Sequence, residues 1–105
     1  MENNLSYTAA LVLQGLFNGH QYGFEIMRVT DLASGTVYPL LRRLERSGLV
    51  TSRWEDLDPV AEGRPRRRTY EITGAGKKAL TNARERLASQ RQLFEGAVPR
   101  NVAKA

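Results

Sequence analysis

Seven arginines in two short segments, Arg42-Arg43 with Arg46 and Arg64 with Arg66-Arg67-Arg68, hold the densest charge in this 105-residue chain. Guanidinium groups stay protonated and bond phosphate oxygens, or the O6 and N7 acceptors of guanine, in pairs. The second segment, Gly63-Arg64-Pro65-Arg66-Arg67-Arg68, crowds like charges at a tip that Gly and Pro hold in a tight path. A neighbouring polyphosphate relieves that repulsion and releases counterions. The competing reading is that these arginines neutralise Asp56, Asp58 and Glu62 of their own loop.

Other chemistries lack their residues. His20 is the single histidine, there is no cysteine, and no Gly-x-Ser-x-Gly, P-loop or metal-ligand spacing occurs. The carboxylates Glu55-Asp56 and Asp58 with Glu62 fall in a polar loop with nothing to desolvate them or raise a pKa. The residue types point away from an enzyme, and no metal or cofactor is expected. Missing thiols also fit a reducing compartment. The longest apolar run, Ala9 to Leu13, is far too short to span a bilayer and has no basic segment before it, so the chain reads as cytoplasmic and unprocessed, with no membrane partner.

Charge is unevenly placed. Residues 1–33 carry one base and three acids, whereas 34–105 carry fifteen bases and eight acids, which directs a basic surface at a polyanion.

The elements that position these arginines follow from periodicity. A first helix starts at the N-cap Ser6 and runs to about Asn18, burying Ala9, Leu13, Leu16 and Phe17. A short second helix spans about Tyr22 to Thr30, with Tyr22, Ile26 and Val29 on one side. Asp31-Leu32-Ala33 is a turn, and Ser34 is expected to cap a third helix running to about Ser47. In that helix Val37, Leu40, Leu41 and Leu44 form an apolar stripe, while Gly35, Pro39, Arg42, Arg43 and Arg46 lie opposite, flanked by Thr36 and Tyr38. Two helices so joined have helix-turn-helix geometry. The second of them points its N-terminal end at base edges, so Ser34, Thr36 and Tyr38 are candidate base readers and the arginines divide between base and phosphate.

After Gly48 the period changes to 2. Val50, Ser52 and Trp54 alternate against Thr51, Arg53 and Glu55, and a second strand near Arg68 to Ile72 completes an antiparallel hairpin. Pro59, Gly63 and Pro65 shape its loop, in which Arg64, Arg66 and Arg67 are candidate backbone contacts. Trp54 and Tyr70 are expected to face inward as core. Thr73 caps a last helix from about Ala75 to Phe94, whose Leu80, Ala83, Leu87 and Phe94 form a narrow seam suited to a second copy of the chain. The expected architecture is mostly α with a small antiparallel β hairpin (α+β), a winged helix-turn-helix over 1–74, a dimerisation helix over 75–95 and a flexible tail over 96–105.

The segments Tyr22-Gly23-Phe24-Glu25-Ile26, Ser34-Gly35-Thr36-Val37-Tyr38-Pro39-Leu40-Leu41-Arg42-Arg43-Leu44-Glu45, Gly48-Leu49-Val50 with Trp54, Gly63-Arg64-Pro65 and Tyr70-Glu71-Ile72-Thr73-Gly74-Ala75-Gly76 together resemble the PadR family of bacterial transcriptional regulators. The resemblance covers Leu11 to about Leu87. It implies a homodimeric winged-helix repressor that binds double-stranded DNA at a palindromic operator and is joined through its C-terminal helix, with a small aromatic compound as candidate effector. The segment between Glu25 and Gly35 is shorter than in many relatives. The single, tryptophan-free C-terminal helix resembles the short subfamily. The alternative is a winged-helix protein-interaction or sensor module without specific operator binding.

Overall fold

The computed structural model describes the backbone of residues 5–104 and the side chains of residues 5–96. Helix α1, Tyr7–Phe17, begins where the Ser6 hydroxyl accepts from the Ala9 amide at 3.1 Å, satisfying one first-turn donor. Helix α2, Gly23–Thr30, starts where the Glu25 carboxylate reaches back to accept from the amides of Gln21 and Tyr22. It ends at Asp31 in the left-handed conformation, φ 61°, which turns the chain into α3, Ser34–Arg46. Ala33 is the N-cap of α3 and makes no side-chain cap, so Ser34 is its first helical residue instead of the expected cap.

Strands β1, Val50–Trp54, and β2, Arg68–Ile72, pair antiparallel with Val50 opposite Ile72, Ser52 opposite Tyr70 and Trp54 opposite Arg68. The chain just before α2 adds a short third stretch alongside β2, with the Tyr70 amide donating to the Gln21 carbonyl at 2.8 Å and Tyr22 bridged to Thr69. Between the strands, where the turn residues predict a loop, lies a single helical turn, α4, Pro59–Glu62. Its signals are local: Asp58 caps it, Pro59 starts it and Gly63, φ 69°, ends it. Helix α5 spans Gly74–Lys104. It therefore continues past Phe94 through most of the expected tail, and Ala105 lies outside the described residues.

Val12 and Leu13 of α1, Ile26 of α2, Val37 and Leu41 of α3 and Val50 of β1 are the fully buried centre. Each such side chain contributes about 1.5–3 kcal/mol relative to exposure. Helix α5 enters this core beside the hairpin. The Thr73 hydroxyl accepts from the Gly76 amide and donates to the Gly48 carbonyl, and a side chain at Gly76 would sit 2.2 Å from the Leu49 carbonyl oxygen. The helix then packs along α1, burying Leu80 and Ala83 at 2% and 1% exposure. Those two residues are covered by their own chain and do not form the expected dimer seam.

Three further residues depart from the alternation expected of them. Phe17 and Val29 are about half exposed, because α1 and α2 cover each other with Gly15 and Ile26 in close contact and leave the outer ring and methyls in solvent. Trp54 is 57% exposed. It lies on the same face as the buried Tyr70, but at the end of the hairpin that extends beyond the core.

Candidate nucleic-acid interface

Helix α3 and the hairpin wing bound one cleft. Gly35, Pro39, Arg42, Arg43 and Arg46 are exposed, as is Ser34, while Thr36 and Tyr38 are half-buried. Helical spacing places Tyr38, Arg42 and Glu45 on the side toward the wing, with Thr36 and Arg43 on the opposite flank. Arg42, Glu45, Arg46, Arg68 and Tyr70 line the cleft floor. Arg68 and Tyr70 also line a neighbouring groove with Tyr22, Phe24, Tyr38, Trp54 and Arg67, so the basic cleft opens directly onto an aromatic one.

Each cation of the wing has a distinct setting. Arg68 lies 5.2 Å over the Trp54 ring, its Nε donates to the Ser52 hydroxyl at 2.9 Å, and Ser52 in turn donates to Glu45 at 2.7 Å. Arg67 lies 5.1 Å over the Phe24 ring and 5.8 Å over Tyr22, two rings stacked with centres 5.3 Å apart. Guanidinium groups so stacked lose rotational freedom while their N–H edges remain available. Arg66 donates through Nε to the Leu57 carbonyl at 2.9 Å.

Arg64 is placed differently. It pairs with Glu55 through two bonds of 2.8 and 3.2 Å and is the most covered arginine of the wing. The acid that meets it is Glu55, not the expected Asp56, Asp58 or Glu62. Glu55 also accepts from the Tyr22 hydroxyl at 2.5 Å and the Arg67 amide at 2.9 Å. The Arg64 guanidinium first, and the Tyr22 hydroxyl second, hold the Glu55 carboxyl down at about 2. The same bond to Glu55 holds the Tyr22 phenol above its ordinary value, and burial does so for Tyr70.

The structure thus brings Tyr38, Arg42, Arg46 and Arg67 to one concave face with Arg66 on the wing beside it, and leaves Arg43 and Thr36 on the far flank of α3. Four contributors to that face have other or no roles in the sequence pattern: Trp54 is expected in the core, Arg68 counts only as part of the charged run, and Tyr22 and Phe24 carry no binding signal. The Trp54–Arg68 pair was within reach of the hairpin register; the Tyr22–Glu55 contact, 33 residues apart, had no local signal. Of the expected dimer residues, Leu87 is half-buried and Phe94 is exposed beside an exposed Leu93 on α5. Among the described residues no His, Asp or Glu cluster could hold a metal, and no helix is long and apolar enough to cross a membrane.

Comparison with known proteins places this geometry. Residues 12–82 match the model of the transcriptional regulator PadR-like family. The chain is 45% identical over 56 residues to transcriptional regulator Rv3488 of Mycobacterium tuberculosis, a match spanning 53% of this chain and 48% of that protein. It superimposes on a transcriptional regulator from Clostridium thermocellum with TM-score 0.73 and 26% identity, covering 88% of this chain and 90% of that one. A PadR family regulator from Clostridium difficile gives 0.64 and 26%, covering 93% and 99%. The PcaV transcriptional regulator of Streptomyces coelicolor, at TM-score 0.74 and 22% identity over 99% of this chain and 78% of that one, shares the fold. With the family model running from α1 through α3 and the wing into α5, over more than half of its length, the chain belongs to the PadR-like family of transcriptional regulators, which are not enzymes.

Proposed function

We propose that this protein is a sequence-specific DNA-binding regulator, acting as a homodimeric repressor at a palindromic operator. The observation that carries the reading is the cleft between α3 and the wing, where Arg42, Arg46 and Arg68 converge. Helix α3 enters the major groove with Ser34, Thr36 and Tyr38 toward base edges, and Arg42, Arg43 and Arg46 divide between bases and phosphates. Arg66, Arg67 and Arg68 follow the adjoining backbone. A second copy joins through the far part of α5, where Leu87, Leu93 and Phe94 offer apolar surface that this chain leaves uncovered or half covered. Two α3 helices related by that two-fold axis would read two half-sites, the protein symmetry matching the palindrome. A DNA-bound regulator of this kind works in the cytoplasm. A small aromatic effector would act by favouring a dimer geometry that separates the two reading helices.

The test is fluorescence anisotropy on duplexes tiled across the protein's own upstream region, with random duplex as competitor, at physiological salt. Specific binding holds at least a thousandfold preference over random DNA, the lower end for operator proteins. Equal binding to both sends the reading to the protein-interaction alternative.

A further inference from the structure

We infer that Glu55 and Arg64 form a latch that fixes the wing against the start of α2, making Glu55 a positioning residue for DNA binding and Arg64 an internal strut instead of a phosphate contact. The inference rests on the DNA-binding reading above.

Glu55 sits where β1 ends, and its side chain is 10% exposed. Its two carboxylate oxygens accept four hydrogen bonds from three residues on two separate stretches of chain: Tyr22 Oη, Arg64 Nη1 and Nη2, and the Arg67 amide. Its own amide donates to the Arg67 carbonyl at 2.9 Å, so the latch closes the hairpin one residue beyond the last paired rung. Beyond that rung the loop holds the α4 turn with the bonds that frame it, the Arg66–Leu57 bond and a local Arg64–Pro65 bond, and it buries no side chain. A loop with so few internal ties samples many positions unless something outside it holds it. Tyr22 is that outside anchor, since it also belongs to the rung joining α2 to β2.

The same bonds order a cation. With its hydroxyl held by Glu55, the Tyr22 ring stacks on Phe24, and Arg67, whose amide Glu55 also holds, lies over both. A guanidinium fixed in advance loses less freedom on meeting a phosphate, and that difference appears as affinity. Arg64, in contrast, already spends two N–H groups on Glu55 and a third bond on the Pro65 carbonyl at 3.0 Å. Within the run Gly63 to Arg68 the four arginines are therefore unequal: Arg64 supports, while Arg66, Arg67 and Arg68, each held by one or more neighbours, stay exposed.

The test compares wild type, Glu55→Gln, Arg64→Met and the double variant. Their binding to the upstream duplex is measured at several salt concentrations, and 15N relaxation is recorded for the amides of residues 56–67 without DNA. A latch predicts that both single changes mobilise the wing amides to order parameters below about 0.6. It predicts that each weakens binding about tenfold, and that the double variant is no worse than the weaker single one because both changes break one unit. Arg64→Met keeps the wild-type salt slope. A salt slope lower by about 0.9 with an ordered wing would make Arg64 a phosphate contact and overturn the latch; so would losses that add in the double variant. If wild type shows no preference for any duplex, the DNA-binding reading fails while the relaxation data still decide the latch. If Glu55→Gln does not fold, Arg64→Met alone decides by the same two readings.

Discussion

The Tyr38 ring occupies the space in which any side chain on Gly23 would stand: a Cβ there would lie 2.4 Å from Tyr38 Cε1 and 2.5 Å from its hydroxyl oxygen. The first residue of α2 thereby sets the direction in which a candidate base reader of α3 points. Replacing Gly23 by Ala must displace the ring or separate the helices, at about 1–3 kcal/mol. The expected outcome is a lower denaturant midpoint together with loss of discrimination between operator and random duplex, while Gly35→Ala, which meets nothing within 4 Å, leaves the α2–α3 packing intact.

The wing arginines and the α3 readers differ in what their loss does. Arg66→Ala and Arg67→Ala weaken binding to every duplex and reduce the log–log salt slope by about 0.9 for each phosphate contact removed. Thr36→Ala and Tyr38→Phe weaken operator binding by about 1–3 kcal/mol and leave random-duplex binding unchanged. Anisotropy titrations on both duplexes at three salt concentrations separate the two patterns.

Acid should loosen the wing before the core. Glu55 is held near 2 in the folded protein against an ordinary 4.5, so its ionised form stabilises the fold. That contribution is complete above about pH 4.5 and is lost as pH falls through 2. Trp54 is the only tryptophan and sits in the last pair of the hairpin, next to Glu55 and stacked by Arg68. Its emission is expected to be flat from pH 7 to 5 and to shift below that, and the shift at low pH disappears in Glu55→Gln.

Along α5 the apolar residues have two roles. Leu80→Ala opens a cavity in the chain's own core and costs about 2–5 kcal/mol. Leu93→Asp with Phe94→Asp alters residues 69% and 73% exposed, so helix content stays native. Multi-angle light scattering is expected to report a dimer for wild type and a monomer for the double variant.

Much of the fold was legible because α3 separates its faces cleanly and the period-2 strands bracket a Gly/Pro-marked loop. What escaped has physical causes. Alternation tells which face of the hairpin Trp54 occupies, but not that the core ends at Tyr70, two rungs earlier. A stripe at Leu80, Ala83, Leu87 and Phe94 fits a partner helix or α1 equally well, and only the path of α5 after Gly76 decides where the chain's own cover stops. The α4 turn did have a signal, Asp58-Pro59 followed by Gly63, yet four residues are too few for periodicity. The Glu55 network joins residues remote in sequence, and an acid beside an arginine-rich run reads locally as loop charge.

The central claim, that the cleft between α3 and the wing holds DNA, is tested most directly by following backbone amide signals of the labelled protein as the upstream duplex is added. The largest shifts are expected at Ser34–Arg46 and Arg66–Arg68, with smaller ones at Tyr22 and Phe24. Shifts confined to α1 or to the outer face of α5, with α3 unmoved, would contradict it.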